Sequence, residues 1–184
     1  YARHQALLNE ITQTTLETPN LEAMLEKFIE VLEKALSADG FYFSLWDESA
    51  QQPGKFISSE MFKVPLSLYS NVKPGEKIFS RSILESGQVL AVEDIRNSVH
   101  ISPHLAALFP AHSALGLPLI ANDRKLGTLV FGFREHHQFS MDEVELAEQA
   151  ARQIALSMVK AGLDADIRTK AAELEQLYAA AQDM

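Results

Sequence analysis

The stretch that decides the fold runs from Ser113 to Val159 and reads SALGLPLIANDRKLGTLVFGFREHHQFSMDEVELAEQAARQIALSMV. Its first part, Ser113 to Phe133, consists of two apolar runs around Asn122-Asp123, residues that tolerate the backbone angles of a tight turn. Pro118 predicts a bulge or an unpaired N–H position within the first run. Ser140 and Glu143 then have the spacing of a capping box ahead of an apolar-periodic segment. The stretch therefore predicts a β-hairpin followed by a long helix.

The size and composition of the chain are those of one domain. It has 184 residues, of which 47% are hydrophobic. Its apolar runs are shorter than the roughly 20 residues that cross a bilayer, and no signal-peptide pattern begins it. We expect a cytoplasmic protein without direct membrane contact. Because the first residue is Tyr1 and both ends have helical patterns, we also expect a segment of a larger protein.

The charge and the missing cysteines exclude several classes of function. The net charge is −9, and from Met141 onward nine acidic residues stand against four basic ones. An acidic surface disfavours contact with phosphate backbones, so we expect no nucleic-acid partner. The chain has no cysteine, which excludes disulfides, thiol chemistry, cysteine-ligated zinc and cofactors tethered through a thioether.

Two helices are predicted ahead of the first strand. Apolar residues at three- and four-residue spacing predict an N-terminal helix within residues 1–17. Thr18 as N-cap and Pro19 at the first helical position predict a second helix that reaches about Ser37. Its broad apolar face is typical of a helix that covers a sheet.

The aromatic strand FYFSLWD, residues 41–47, has two different faces. Phe41, Phe43 and Leu45 are wholly apolar, and we assign them to helix packing. Tyr42, Ser44 and Trp46 carry polar tips that need partners when buried, which favours a cavity on that side. A second, antiparallel strand is predicted at residues 56–62, followed by a loop from Val64 to Pro74.

Short elements fill the middle of the chain. Residues 78–87 predict a short helix that Gly87 ends, and residues 89–94 predict a strand. Ser102 as N-cap and Pro103 predict another short helix, which should lie over one face of the sheet.

The last helix is predicted to extend well past the domain. One core position of its heptad repeat holds Leu156, Leu163, Lys170 and Leu177. The other core position holds Lys160, Ile167, Leu174 and Ala181. Ion pairs at four-residue spacing offset the cost of Gly162, so a continuous helix of roughly 66 Å is allowed. We expect residues 160–184 to be a coiled-coil-like exit helix and the chain to form a parallel homodimer through its terminal helices.

The order of these elements over residues 18–159 resembles the GAF domain family. The segments that carry the resemblance are residues 36–47 (LSADGFYFSLWD), 89–95 (VLAVEDI), 115–133 and 139–158. It implies an α+β fold, in which an antiparallel sheet has long helices on one face and loops and short helices around a pocket on the other. It also implies a small-molecule-sensing role in a bacterial signalling protein.

Residues that some members of the family need for their ligands are missing from this chain. Members that attach a bilin, and methionine sulfoxide reductases of this fold, use cysteines that this chain lacks, so no covalently attached bilin is expected. The cyclic-nucleotide-binding signature has three residues between Phe and Asp-Glu, whereas Phe139 and Asp142 have two, and no Asn-Lys pair is present. The ligand stays unknown. The residues expected to bind it are Tyr42, Ser44, Trp46, Phe62, Phe79, Asp94, His112 and Leu115.

Histidines offer the other candidate sites. His100 and His104 have the spacing of two metal ligands on a helix, but Ser102 and Pro103 would leave His100 outside it. A noncovalent haem on His104 or His112 is a further alternative, and His136-His137 is expected to be solvated. We find no GxSxG elbow and no phosphate-binding loop.

We therefore expect a non-catalytic domain that regulates a missing effector, such as a histidine kinase or a cyclic dinucleotide synthase. The proposed route runs from the pocket-side residues 64–112 through the hairpin to the last helix. A ligand-free dimerisation or spacer module and a haem or metal sensor remain as alternatives.

Overall fold

A computed structural model describes residues 5–10, 13, 20–63 and 72–182, without the side chains of residues 163–168. Its helices are α1 (Leu21–Leu36), α2 (Phe79–Ser86), α3 (Pro103–Leu108) and α4 (Met141–Gln182). Its strands are β1 (Gly40–Asp47), β2 (Gln52–Ser58), β3 (Leu90–Val92), β4 (Ser113–Ala121) and β5 (Arg124–Phe133). Residues 5–10 and 60–63 are also helical, and a 3₁₀ turn spans Ile95–Asn97.

The five strands form one antiparallel sheet in the order β2-β1-β5-β4-β3. β4 and β5 are the predicted hairpin, and Asn122 and Asp123 have φ angles of 53° and 60° at its turn. The pairing register shifts between Leu119 and Ile120, next to Pro118. Pro118 lies beyond Gly116, the last residue of β4 that β3 pairs with. The sheet and its helices confirm the predicted α+β architecture.

β2 differs from its predicted position. It spans Gln52–Ser58 instead of residues 56–62, because the preceding turn closes early with Gln51 at a φ of 52°. Ser59 ends the pairing, since its hydroxyl accepts a hydrogen bond from the Phe41 N–H at 3.0 Å. Residues 60–63 then form a helical turn.

One face of the sheet is covered by α1 and α4. The buried side chains on this side come from both helices and from alternate residues of β1, β4 and β5, and they include Phe28, Leu32, Phe43, Leu117, Phe131 and Ile154. Phe41 packs against the same cluster, while Leu45 is 36% exposed. The assignment of the Phe41 and Phe43 face to helix packing is confirmed.

The long helices begin with side-chain caps. Asn20, and not the predicted Thr18, caps α1, where its Oδ1 accepts a hydrogen bond from the Ala23 N–H at 2.8 Å. Thr18 and Pro19 lie outside the described residues. At α4 the predicted capping box forms, since the Glu143 N–H donates to Ser140 Oγ and the Ser140 N–H donates to Glu143 Oε2.

α4 runs without a break through Gly162 to Gln182, which corresponds to roughly 63 Å. Among its described side chains Met158 is the last buried one, and Leu174, Leu177 and Tyr178 are 66%, 68% and 69% exposed. No helix in the described part of the chain is long and apolar enough to cross a membrane. The division at residues 17/18 and 159/160 stays a prediction, and much of the N-terminal helix lies outside the described residues.

Candidate functional site

The face of the sheet opposite α1 and α4 carries a second, aromatic core. Tyr42 on β1 meets Phe62 edge to face at 5.0 Å between ring centroids, and Phe109 lies 5.4 Å from Phe62 and 6.0 Å from Phe79. Such edge-to-face pairs hold aromatic rings at defined angles. This cluster anchors α2, α3 and the 60–63 turn against the sheet.

Two glycines let α2 and the Phe62 ring approach the sheet closely. A Cβ on Gly116 of β4 would overlap the Ile83 side chain, with Cγ1 at 2.7 Å. A Cβ on Gly132 of β5 would lie 2.7 Å from the Phe62 ring. Only glycine leaves room for α2 and Phe62 at these positions. The pocket-side layer therefore depends on glycines at the centre of the sheet.

Beside this cluster lies a cavity of about 660 Å³. It is enclosed by β1, β2, the start of α2 and the segment 72–75, with Ile101 and Phe109 at one side. Its apolar walls include Phe56, Ile78, Phe79 and Phe109. A concave, mostly apolar site with a few polar groups is typical of small-molecule binding.

Four hydroxyl groups form a hydrogen-bonded chain at the buried side of the cavity. Thr128 donates to Ser80 Oγ at 3.2 Å, and Ser44 lies 3.0 Å from Thr128 Oγ1. Because Thr128 has given its single proton to Ser80, Ser44 is the donor in that pair. Tyr42 also hydrogen-bonds to Ser80, and burial raises its pKa, which this hydrogen bond partly offsets.

This hydroxyl chain keeps free acceptor positions that face the cavity. Tyr42, Ser44 and Ser80 line the cavity and are buried, as is Thr128. Each hydroxyl oxygen can accept two hydrogen bonds. A ligand group that donates a hydrogen bond can therefore be bound at Ser44 without breaking the chain.

Arg81 and Lys73 bring positive charge to the cavity lining. Arg81 Nη2 donates to the Gln51 carbonyl at 2.8 Å, which ties the guanidinium to the β1–β2 turn. Among the described lining residues there is no aspartate or glutamate. The charged residues of the described lining are thus both cations, in a chain of net charge −9. The Glu76 carboxylate, outside that lining, accepts a hydrogen bond from the Lys73 N–H at 2.9 Å.

The structure brings together three of the eight residues predicted to bind ligand: Tyr42, Ser44 and Phe79 line the cavity. Phe62 lies behind Tyr42 in the aromatic core. Trp46 lies just beyond Leu45, the last residue of β1 that pairs with β5. Its Nε1 is buried and has no hydrogen-bond partner within the described part of the chain.

The other three residues are elsewhere. Asp94 caps the 3₁₀ turn, where its carboxylate accepts from the Arg96 N–H at 3.1 Å and from Asn97 Nδ2 at 2.6 Å. The hydrogen bond from Asn97 is the main cause that lowers its pKa. The His112 backbone bridges Phe133 and Ile95. Leu115 packs on the helix side of β4, so its prediction as a pocket residue is wrong.

Four residues at the site were not predicted from the sequence: Ser80, Arg81, Lys73 and Thr128. The sequence does set Thr128 apart, because it is the single hydroxyl residue in the apolar run of β5. Its position opposite Ser44 depends on the β1–β5 register, which the sequence alone does not state. Ser80 and Arg81 lie in the first turn of α2, whose orientation on the sheet was likewise unknown.

The histidines are outside the cavity. His100 precedes α3 and His104 is exposed on it. His137 is not solvated as expected: its ring stacks on Phe133 at 4.2 Å and its Nε2 lies 3.1 Å from both Glu143 carboxylate oxygens. His136 is exposed, 3.6 Å from Glu93. No group of three metal-binding side chains converges among the side chains that the structure describes.

Solved structures share this architecture. The GAF domain of a phosphoenolpyruvate-protein phosphotransferase from Coxiella burnetii has a TM-score of 0.69 and 23% identity, over 89% of this chain and 96% of that one. A domain of a putative two-component sensor histidine kinase from Sinorhizobium meliloti has a TM-score of 0.65 and 18% identity, over 82% and 99%. At these identities the likeness shows the fold alone.

An enzyme is also among the similar structures. The free methionine-R-sulfoxide reductase of Neisseria meningitidis, solved with its substrate, has a TM-score of 0.66 and 15% identity, over 89% of this chain and 92% of that one. No curated protein matches the sequence.

The family itself is shown by the sequence. The model of the GAF domain matches residues 20–158, which include the sheet, both of its covering layers and the buried part of α4. The chain therefore belongs to the GAF domain family, a family of regulatory and sensory domains in signalling proteins.

Proposed function

We propose that this domain senses a small molecule in the cavity beside β1, β2 and α2, and passes the bound state through α4 to an effector domain. The observation that carries the proposal is a cavity of about 660 Å³ whose buried wall is a chain of hydroxyl groups. The hydrogen bonds within this chain offset the cost of burying its hydroxyl groups. The acceptor positions that remain on Ser44 and Ser80 can bind polar groups of a ligand.

The sheet supplies a direct route from the cavity to α4. Thr128 faces the cavity side and its neighbour Leu129 is buried on the helix side of the same strand. α4 packs on that second face with Ala147, Ala150 and Ile154. A ligand that moves Ser44 acts on β1, and one that moves Ser80 acts on α2, which packs on β4 and β5. α4 contacts the sheet mainly at β4, and packed layers transmit such shifts.

The output is proposed to be a change in helix packing between two copies of the chain. The exposed apolar residues of α4 beyond Met158 have no cover within the described part of the chain. A parallel homodimer through the terminal helices would cover them. The effector, a histidine kinase or a cyclic dinucleotide synthase, would then respond to the helix arrangement.

A ligand-free spacer is the competing function. The aromatic core favours it in part, because Tyr42 and Phe62 fill their own share of the pocket-side face. The space around Ser44 is not filled in the same way, since Ser44 lines the cavity. No histidine is among the described lining residues, so these residues offer no imidazole to a haem iron.

Native mass spectrometry of the purified protein tests the proposal. A dimer whose excess mass disappears on denaturation is the expected result, and that mass gives the size of the ligand. A dimer of bare chain mass, with no small molecule from a metabolite extract retained, would favour the ligand-free spacer. A monomer would contradict the proposed output.

A further inference from the structure

The charges of the cavity lining indicate the class of ligand. Arg81 and Lys73 both line the cavity, and neither has an ion-pair partner among the residues that the structure describes. Arg81 uses one of its five N–H donors on the Gln51 carbonyl. The remaining donors and the Lys73 ammonium are available to a ligand.

The start of α2 adds to the positive potential. Ile78 is the N-cap of α2 and provides no side-chain cap, and Ile78, Phe79, Ser80 and Arg81 all line the cavity. The N–H groups and the dipole at a helix N-terminus favour negative charge. The cations and the helix start therefore act in the same direction.

The geometry points to a small organic anion as the ligand: one carboxylate or phosphate group bound by Arg81 and Lys73, on an apolar body. This inference rests on the proposed function of the cavity. Phe56, Ile78 and Phe79 provide apolar wall for the body. Ser44, at the buried side, accepts a hydrogen bond from a ligand N–H or O–H.

The apolar walls separate this ligand class from a free inorganic anion. A bare phosphate would leave Phe56, which is 51% exposed, in contact with water, whereas an organic body covers it. A guanidinium binds carboxylate or phosphate oxygens through two parallel hydrogen bonds. We therefore expect both parts of the ligand to contribute to binding.

Two fluorescent probes that differ only in the anionic group test the inference. 8-Anilinonaphthalene-1-sulfonate and N-phenyl-1-naphthylamine share one apolar body, and only the first carries a negative charge. The wild-type protein should bind the sulfonate probe roughly five- to tenfold more tightly. Raising the salt concentration should reduce that difference and leave the neutral probe unaffected.

Variants then assign the effect to the cavity. Arg81→Gln and Lys73→Gln should each weaken the sulfonate probe several-fold and leave the neutral probe unchanged, which also shows that the cavity is intact. Arg124→Gln removes the same charge at the exposed β4–β5 turn, outside the cavity lining, and should change neither. Arg81→Lys should retain part of the preference, because the charge stays and the paired N–H geometry is lost.

The outcomes separate the two proposals. Equal affinity of both probes for the wild type, or an equal loss in Arg124→Gln and Arg81→Gln, would overturn the anionic ligand while leaving a binding cavity. Failure of both probes to bind would overturn the cavity itself as a site. Displacement of the sulfonate probe by benzoate or by phenyl phosphate, and not by benzyl alcohol, would support the inference and identify the preferred anionic group.

Discussion

Tyr42 combines burial with a hydrogen bond in a way that predicts a pH effect. Burial raises its pKa above the usual 10.0, so the folded state favours the protonated phenol. The phenol of Tyr42 contributes fully to folding stability at any pH below its pKa in the unfolded state. This contribution is lost as the pH rises through its pKa in the folded state. We expect the wild type to lose stability above about pH 10 more steeply than Tyr42→Phe, in urea titrations over a pH series.

Absorbance titration of the tyrosines provides the control. Tyr178 is exposed, so Tyr178→Phe should remove one phenolate signal from the native titration. Tyr42→Phe should leave the native signal unchanged, because Tyr42 ionises only when the protein unfolds. A native phenolate signal that disappears in Tyr42→Phe would contradict the burial argument.

Thr128 is the centre of the hydroxyl chain. Thr128→Val keeps the shape and removes the hydroxyl, so Ser44 and Ser80 each lose a buried partner. We expect a loss of about 1–3 kcal/mol in the free energy of unfolding, measured by urea denaturation. In the double variant Thr128→Val/Ser44→Ala the loss should be smaller than the sum of the two single losses. Additive losses would show that the two hydroxyls do not interact.

At the scale of elements, Gly162 tests the continuity of α4. It is exposed, and a Cβ there would meet nothing within 4 Å. Gly162→Ala should stabilise the helix by roughly 1 kcal/mol and slow amide hydrogen exchange in residues 163–182. Ala172→Gly, in the exposed part of the same helix, should accelerate it. Unchanged exchange in Gly162→Ala would mean that α4 is not continuous there.

Elements with strong local signals could be predicted from the sequence, and the arrangement of the site could not. The hairpin turn and the α4 capping box depend on neighbouring residues, and both formed as predicted. β4 is buried on both faces along almost its whole length. Its sequence therefore lacks the alternation of apolar and polar residues that would show which side chains face the helices. Leu115 was misplaced for that reason.

Long-range contacts explain the remaining errors. Ser44 and Thr128 are 84 residues apart in sequence, and only the strand order brings their hydroxyls together. Asp94 and His112 were expected in the pocket because they lie next to β3 and β4. The cavity lies at β1 and β2 instead, at the opposite edge of the sheet.

For the whole molecule, the question is what covers the exposed part of α4. Met158 is the last buried residue among the described side chains of α4, yet the helix continues for 24 residues to Gln182. Leu174 and Leu177 lie on the predicted heptad seam and are exposed in the single chain. Lysines at positions 160 and 170 weaken that seam, so the dimer should be sensitive to further charge on it.

The double variant Leu174→Glu/Leu177→Glu is therefore expected to be monomeric at concentrations where the wild type is a dimer, measured by sedimentation velocity. Ala172→Glu/Ala179→Glu adds the same charge to exposed positions off the seam and should remain a dimer. Both variants should keep the wild-type affinity for the cavity probes, because the cavity is built from residues before β4. Dimers of equal stability in both variants would remove the heptad seam as the interface, and loss of dimer in both would indicate that general charge repulsion controls association.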